Sequence, residues 1–427
     1  MSPEPAAKRA SSGGGHAVAF AGDRLSDLPD GLLHAVMSFL PAPQVVRTSV
    51  LSRRWRDLWR STPCISIEER DFEITTGSGA GGDLDERQER WRKFEDFTTN
   101  LLLFHNNVAS LDKFRLYAGT GRACALRLRD LDRWVRRGIK YRPQVIEIII
   151  SLRPRIQFPH MGASSCRLKR LHLNGFYLDN QFAELLCFGC PVLEDLVLRS
   201  CDNGFQEIKS STLKKLVVDS CGNLSGDPVV IVAPHVAYLQ LGISYGCYSN
   251  GVSIYETASL VKASIHLLCL GEAFNLKHQQ RLLGNLCNVP NLQLSGFHAM
   301  AMLVEESIKF PIFANLQTLS LEQCLLDKCE LDTKLDALGS FVQNAPCLEK
   351  LTLQCCMFPV ESEKEGQLVR KNIILQRHDQ NTFLCPKLKV IEVVYEEDHD
   401  HQLVELLWGI GRRLPNANIV LNNYFVD

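Results

Sequence analysis

Apolar residues recur along the chain in a frame that alternates them with polar residues. Leucine or a similar residue occupies positions 1, 4 and 6 of the frame, and cysteine often occupies position 9. This alternation predicts a short strand in which positions 4 and 6 point inward while positions 3, 5 and 7 point outward. Clear copies begin at residues 168, 193, 213, 236, 316 and 348, a looser copy begins at 388, and the frame is blurred between 245 and 315.

The segments between these strands carry apolar residues at helical spacing. The copies follow one another at intervals of about 20 to 29 residues in the clearest region, which is typical of leucine-rich repeats. Stacked repeats of this kind predict a curved parallel sheet with helices on one side and an open concave face on the other. The helical residues are Phe182, Leu185 and Leu186, then Leu335, Leu338, Phe341 and Val342, and finally Leu403, Leu406, Leu407 and Ile410.

The outward positions of the strands define a candidate binding face. They mix both charges with hydroxyl groups and few aromatic rings, which favours a protein or peptide partner over a phosphate backbone. A solvated face, with binding carried by the loops, is the alternative. The candidate target-binding residues are Arg170, His172, Asn174, Asp195, Arg199, Lys215, Asp219, Tyr238, Gln240, Glu322 and Lys350.

A short helical unit precedes the repeats. Its first helix carries Leu32, Leu33, Val36, Met37 and Leu40 at helical spacing, and two further amphipathic segments follow before residue 65. Some forty residues rarely hold a core alone, so this apolar surface implies docking on the rest of the chain or on a partner. An ordinary helical subdomain is the alternative interpretation.

These patterns predict an α+β chain, in which a three-helix unit is followed by an α/β repeat solenoid. Residues 94–119 and 131–151 each suggest a helix followed by a strand, and residues 64–74 are strand-like. The predicted order is a disordered tail at 1–22, the helical unit at 23–65, a linker with an acidic, glycine-rich loop and a helix at 66–110, repeats at 111–360 and C-terminal repeats at 361–427.

Charge and cysteine content narrow the functional classes. The chain has 427 residues, 47 Lys+Arg and 48 Asp+Glu, and this balance argues against global steering toward nucleic acid or anionic membranes. Its apolar runs are shorter than the roughly 20 residues of a spanning helix, so we expect neither a nucleic-acid nor a membrane partner. Sixteen cysteines in a long chain without a secretory pattern indicate a reduced compartment, the nucleus or the cytoplasm.

Three motifs suggest chemistry, and each has a simpler explanation. Gly77, Gly79 and Gly82 form a GxGxxG sequence, but acidic residues follow it where a pyrophosphate needs positive potential. Cys187 and Cys190 form a CxxC pair without a second pair to complete a zinc site. The cluster at 398–401 alternates Asp and His in an acidic loop. We therefore predict no catalytic residue, no metal site and no cofactor.

The frame explains part of the cysteine content. Cys201, Cys221, Cys324 and Cys356 all occupy position 9. A small, weakly polar side chain buried at the turn after the strand is the expected role.

The helical unit resembles the F-box, and specifically its plant form. Leu28-Pro29, Leu40-Pro41, the run Leu51-Ser52-Arg53-Arg54-Trp55 and Leu58-Trp59 carry the resemblance. The resemblance implies docking on a Skp-type adaptor, with Trp55 and Trp59 tying the F-box to the following domain. The implied adaptor-binding residues are Leu28, Pro29, Leu32, Leu33, Val36, Leu40, Pro41, Val45, Val46 and Val50.

Most of the sequence from residue 23 to residue 421 resembles plant F-box and leucine-rich-repeat proteins. Cys190-Pro191 and Cys385-Pro386 precede repeat strands as they do in that family, and residues 383–421 resemble its C-terminal FBD module. The resemblance implies a non-catalytic, substrate-recognition subunit of an SCF-type cullin–RING ubiquitin ligase, which binds an unknown target protein for ubiquitination. A small-ligand sensor of the hormone-receptor type, built on the same architecture, is the alternative.

Overall fold

The fold is seen in a computed structural model. It describes residue 25 and residues 27–73, 84–106, 109–119, 125–151, 155–223, 227–244, 248, 250–267, 275–297, 311–324, 331–354, 385–395 and 400–423. Among these residues no helix combines the length and the apolar character needed to cross a bilayer.

Eight α-helices and several shorter helical turns lie within the described ranges. The α-helices are α1 (Asp30–Met37), α2 (Ala42–Arg47), α3 (Leu84–Phe104), α4 (Ala125–Lys140), α5 (Asn180–Glu184), α6 (Leu276–Asn285), α7 (Leu331–Gln343) and α8 (Asp400–Arg413). The 3-10 turns are Thr48–Val50, Leu58–Ser61, Glu69–Phe72, Gly162–Ser165 and Thr257–Ser259, and Leu185–Gly189 continues α5 as a π-helical turn.

Thirteen strands form one parallel sheet, because each repeat contributes one strand and neighbouring repeats stack. In spatial order they are β1 (Cys64–Glu68), β2 (Lys113–Ala118), β3 (Val145–Ile150), β5 (Arg170–Asn174), β7 (Asp195–Arg199), β10 (Lys215–Asp219), β13 (Tyr238–Ile243), β15 (Lys262–Leu267), β16 (Asn291–Ser295), β17 (Thr318–Glu322), β18 (Lys350–Gln354), β19 (Val390–Tyr395) and β20 (Asn418–Asn423).

Two small parallel sheets are formed by short strands that follow the main strands. One contains β4 (Ile156–Gln157), β6 (Phe176–Leu178), β8 (Asp202–Asn203) and β11 (Gly222–Asn223). The other contains β9 (Glu207–Lys209), β12 (Val229–Val232) and β14 (Val252–Tyr255).

The inward residues of the strands form one continuous core. Positions 4 and 6 of the frame are buried in every described repeat from Leu171 to Val393, and helices α4 and α7 add Trp134 and Phe341 to the same core. The alternating pattern of each strand therefore has the expected physical cause, which is burial of one face. The prediction of an α+β chain with helices and a parallel repeat sheet is confirmed.

Position 8 of the frame turns the chain away from the strand. Gly175, Ser200, Ser220, Gly296 and Gln323 all occupy it, and all have positive φ. Each of their N–H groups donates to the position 7 carbonyl of the next strand, at 2.9 to 3.2 Å. At Gly175 a Cβ atom would lie 1.8 Å from the Ile150 carbonyl oxygen, so this close approach requires glycine.

The cysteines at position 9 have the structural role that the frame predicts. The thiols of Cys201, Cys221 and Cys324 are buried and donate to position 6 carbonyls of the preceding strand, at 3.8, 3.5 and 3.4 Å. Burial raises the pKa of Cys324 to about 12, so this thiol stays protonated. Cys356 lies outside the described residues.

The sheet runs through both predicted repeat segments, 111–360 and 361–427, and starts before the first of them. It begins with β1, at the boundary between the predicted helical unit and the linker, and it continues to β20 in the predicted C-terminal segment. Two further strands, β15 and β16, lie in the stretch where the frame is blurred. The limits of 111 and 360 therefore divide a sheet that is continuous.

Candidate docking surfaces

Helix α1 has apolar residues on both faces, and only one face is covered. Leu33 and Met37 are buried in a small core that also contains Val45, Trp55 and Leu58. Leu32, Val36 and Phe39 follow at i, i+4 and i+7 on the other side, and they are 54%, 48% and 87% exposed. A helix that is apolar on both faces needs a second partner, so this face is a candidate protein contact.

A second exposed apolar pair follows α2. Val50 ends the 3-10 turn Thr48–Val50, Leu51 comes next, and both side chains are exposed. Pro29, at the start of α1, is also exposed. Large exposed apolar residues concentrated in so short a segment are typical of interaction sites.

Two of the predicted adaptor contacts are corrected by the structure. Leu33 and Val45 are buried between the helices of the unit, so they stabilise it and cannot meet a partner in this conformation. Leu28 and Leu40 are partly buried against the same small core, Pro41 is partly buried, and Val46 packs against the main core.

Two residues that the sequence reasoning missed belong to the exposed set, namely Phe39 and Leu51. The sequence does contain a signal for Phe39, because this residue continues the stripe of Leu32 and Val36 at helical spacing. Spacing alone is compatible with one broad apolar face that contains Leu32, Leu33, Val36 and Met37, so it does not show that α1 has two.

Polar contacts fix the geometry of α1. Arg54 donates to the carboxylate of Asp30 at 2.7 Å, and the hydrogen bond with Arg54 lowers the pKa of Asp30. His34 Nε2 lies 3.1 Å from Ser61 Oγ on the 3-10 turn Leu58–Ser61. These contacts hold α1 against the segment that leads into the sheet.

The helical unit covers the first edge of the sheet. Ala42 and Val46 of α2 and the partly buried Trp59 pack against the main core. Trp59 also touches the small core, so it joins the two as expected, whereas Trp55 lies within the small core. Next to this junction, the buried His105 ring donates from Nε2 to the Thr62 carbonyl, 2.9 Å away, and burial lowers the pKa of His105.

The open face of the sheet is made by positions 3, 5 and 7 of successive strands, which the register aligns in three rows. Position 3 runs from Arg170 through Asp195, Lys215, Tyr238, Lys262, Asn291 and Thr318 to Lys350. Every predicted target-binding residue lies in one of these rows: Arg170, His172, Asn174, Asp195, Arg199, Lys215, Asp219, Tyr238, Gln240, Glu322 and Lys350.

Opposite charges pair with one another on the first part of this face, from β2 to β10. Glu147 contacts Lys113 at 3.2 Å and Arg115 at 2.7 Å. Burial raises the pKa of Glu147, but the hydrogen bond and charges of these two neighbours outweigh burial, so its pKa is lowered overall. The carboxylate is therefore ionised and largely compensated within the sheet.

The next acidic groups are compensated in the same way. Asp195 lies 3.1 Å from His172 Nε2 and 3.8 Å from Lys215 Nζ. Burial raises the pKa of Asp195, and its interactions with His172 and Lys215 lower it by more. Asp219 lies 3.9 Å from Arg199. Much of the charge on this part of the face is thus already satisfied within the protein.

The middle of the face, from β13 to β18, is built mainly of amides and hydroxyls. Rows 3 and 5 carry Asn291, Gln293, Thr318, Ser320 and Thr352 between two lysines. These residues line a depression of about 230 Å³ whose ends are Lys262 and Lys350. Sequence reasoning missed Lys262, Asn291 and Gln293 because they belong to the two strands in the blurred stretch.

The motifs that suggest chemistry take no part in these surfaces. Burial raises the pKa of Cys190 to about 11, so the CxxC sequence has at least one unreactive thiol. Within the described ranges no group of three or more His, Cys, Asp or Glu side chains is placed to hold a metal. Gly77, Gly79, Gly82, Asp398 and His399 lie outside the described residues.

Comparison with known proteins places the chain in a family. Residues 25–66 match the F-box domain, a domain that generally binds Skp-type adaptors. The chain is 32% identical to the MEIOTIC F-BOX protein MOF of Oryza sativa subsp. japonica over 88% of this chain and 82% of that protein. It is 28% identical to an F-box/FBD/LRR-repeat protein of Arabidopsis thaliana over 78% of this chain and 76% of that protein. A second Arabidopsis thaliana relative, an F-box/LRR-repeat protein, is 27% identical over 86% of this chain and 78% of its own length. The chain therefore belongs to the plant F-box/leucine-rich-repeat family, whose members act in general as F-box substrate adaptors.

Proposed function

We propose that this chain is the substrate-recognition subunit of an SCF-type cullin–RING ubiquitin ligase. In this proposal the F-box docks on a Skp-type adaptor, which links it to the cullin and RING subunits, and the open face of the sheet binds the target protein in the nucleus or the cytoplasm. The chain contributes binding and no chemistry. Ubiquitination then follows from the raised effective concentration of target lysines beside the ubiquitin-carrying enzyme.

The observation that carries this proposal is the second apolar face of α1. Leu32, Val36 and Phe39 are exposed although the opposite face of the same helix is fully packed. Because water solvates apolar side chains poorly, a partner that covers all three would gain about 1.5 to 3 kcal/mol for each large side chain it fully buries. An F-box match over the same residues supports a Skp-type adaptor as that partner.

The test is co-purification of the full chain with a plant Skp-type adaptor. Val36→Asp combined with Phe39→Asp places two charges in the contact, and we expect binding to weaken by more than about a hundredfold. The matched control is Phe188→Asp, since Phe188 is 84% exposed on the solenoid, away from the F-box. We expect this variant to bind the adaptor like the wild type.

Thermal unfolding separates a lost contact from a lost fold. Both variants change exposed residues, so their free energies of unfolding should stay within about 0.5 kcal/mol of the wild type. Retention of the adaptor by the doubly substituted F-box, with an intact fold, would contradict the proposed docking surface. The alternative function, a small-ligand sensor, stays a prediction.

A further inference from the structure

The depression in the middle of the open face is a surface rich in hydrogen-bond donors. Asn291 Oδ1 accepts from the Thr318 hydroxyl at 2.7 Å, and Gln293 Oε1 accepts from Ser264 at 3.2 Å. Asn291 Nδ2 also donates to the Val261 carbonyl at 3.0 Å. Among the described residues, the donors left for a ligand are therefore the Gln293 amide N–H groups and the second N–H of Asn291. The floor therefore suits an acceptor group.

Positive charge stands at both ends of this floor. Lys262 and Lys350 occupy the same row, with Asn291 and Thr318 between them. Neighbouring strands lie about 4.8 Å apart, so the two lysine Cα atoms are separated by about 14 Å. The two lysines therefore mark opposite ends of the floor.

The charge of Lys262 is uncompensated, in contrast to the lysines on the first part of the face. Its ammonium group lies 5.9 Å from the ring centroid of Tyr238, and no carboxylate within the described ranges pairs with it. Lys350 contacts Glu392 at 2.7 Å. In the β2–β10 part, by comparison, Lys113 and Lys215 each contact a carboxylate of the sheet. In the part of the chain that the structure describes, the depression thus combines a neutral, donor-rich floor with one lysine that contacts no carboxylate.

We propose that this depression binds the carboxylate of an aspartate or glutamate side chain on an extended segment of the target protein. The inference rests on the proposed function and specifies the chemistry of the target. Lys262 supplies the charge, Gln293 and Asn291 donate from their amide groups, and Ser320 offers a hydroxyl beside them. A single uncompensated ammonium group matches the single charge of a carboxylate better than the double charge of a phosphate.

The experiment uses four pools of 12-residue peptides that are random except at one central position. That position is fixed as Glu, Gln, Lys or phosphoserine, and each pool is captured by the immobilised full chain. We expect the Glu pool to be retained about threefold more than the Gln pool, which is the size of a partly exposed ion pair. High salt should reduce the difference because it screens the charge.

Substitutions at matched positions give the controls. Lys262→Gln should bring the Glu to Gln ratio to about one, and Lys262→Arg should preserve it. Lys389→Gln is the matched control, since Lys389 is also an exposed lysine but precedes its strand, outside the three rows, and contacts Glu349 at 2.7 Å. We expect it to leave the ratio unchanged.

Three results would overturn the inference: equal retention of the Glu and Gln pools by the wild type, stronger retention of the phosphoserine pool than of the Glu pool, or an equal effect of Lys389→Gln and Lys262→Gln. Adaptor co-purification is measured on the same preparations. A chain that holds the adaptor without a preference for Glu refutes this inference alone, whereas failure to bind the adaptor refutes the proposed function itself.

Discussion

The F-box helix α1 and the middle of the open sheet face are two exposed surfaces of opposite chemistry. On α1 the exposed residues are apolar, and on the sheet they are amides, hydroxyls and lysines. An apolar stripe gives binding energy through burial, while polar donors depend on matching groups in the partner. The first surface is suited to one constant partner, and the second to discrimination among targets.

The two surfaces also differ in what supports them. The exposed stripe of α1 lies on a small core of five buried residues, whereas the polar face lies on the continuous core of thirteen strands. Truncation of one buried side chain should therefore lower the free energy of unfolding more in the F-box than in the sheet.

The largest difference in stability is expected between two single variants, Leu33→Ala and Leu32→Ala. Leu33 is fully buried beside Met37, so its truncation should lower the free energy of unfolding of the F-box by about 2 to 5 kcal/mol. Leu32 is next in sequence but exposed, so its truncation should change stability by less than about 0.5 kcal/mol.

Hydrogen exchange of the α1 amide groups under increasing denaturant measures the difference, since the chain has five tryptophans and the fluorescence of Trp55 in the small core cannot be read alone. In a chain of this size the F-box transition is thereby read separately from that of the sheet. Equal destabilisation by both variants would show that α1 has no exposed apolar face, and the contrast between the surfaces would fail.

A smaller effect is expected at the junction between the two regions, where His105 meets the Thr62 carbonyl. Burial lowers the pKa of His105 from its ordinary value of 6.5. The unfolded chain therefore takes up this proton first as the pH falls. Neutral His105 therefore makes its full contribution to the free energy of unfolding above pH 6.5. This contribution is lost as the pH decreases below that value, with a slope of at most about 1.4 kcal/mol per pH unit.

His105→Gln keeps an amide donor for the Thr62 carbonyl and removes the titration. We expect the variant to lose less stability than the wild type between pH 7 and pH 5, measured by thermal unfolding across that range. If the stability of both proteins falls equally between pH 7 and pH 5, His105 does not contribute to the pH dependence of stability.

Much of the fold could be predicted from the sequence, because burial of one face of each strand produces the alternation of apolar and polar residues. All six clear copies of the frame, and the looser copy at 388, are strands of the main sheet. The structure also contains the two helix-then-strand pairs expected in residues 94–151, with α3 followed by β2 and α4 followed by β3. In β15 the frame failed because Ala263 stands where leucine is expected, although the residue is still fully buried.

The sites were harder to predict than the fold. Leu32 and Leu33 are the same residue type at adjacent positions, so periodicity cannot say which one faces the core when both faces of the helix are apolar. Only the packing of α1 against Trp55 and Leu58 decides it. On the sheet, the aligned rows were predictable, but the pairing of Lys215 with Asp195 and the free charge of Lys262 depend on the strand order and register.

The most direct test of the separation between the two surfaces is hydrogen–deuterium exchange of the full chain with and without a Skp-type adaptor. We predict slower exchange in residues 30–51, which include α1, α2 and the turn at Val50, and unchanged exchange in strands β15 to β18. Unchanged exchange in α1, or protection that appears mainly in the sheet strands, would contradict the account.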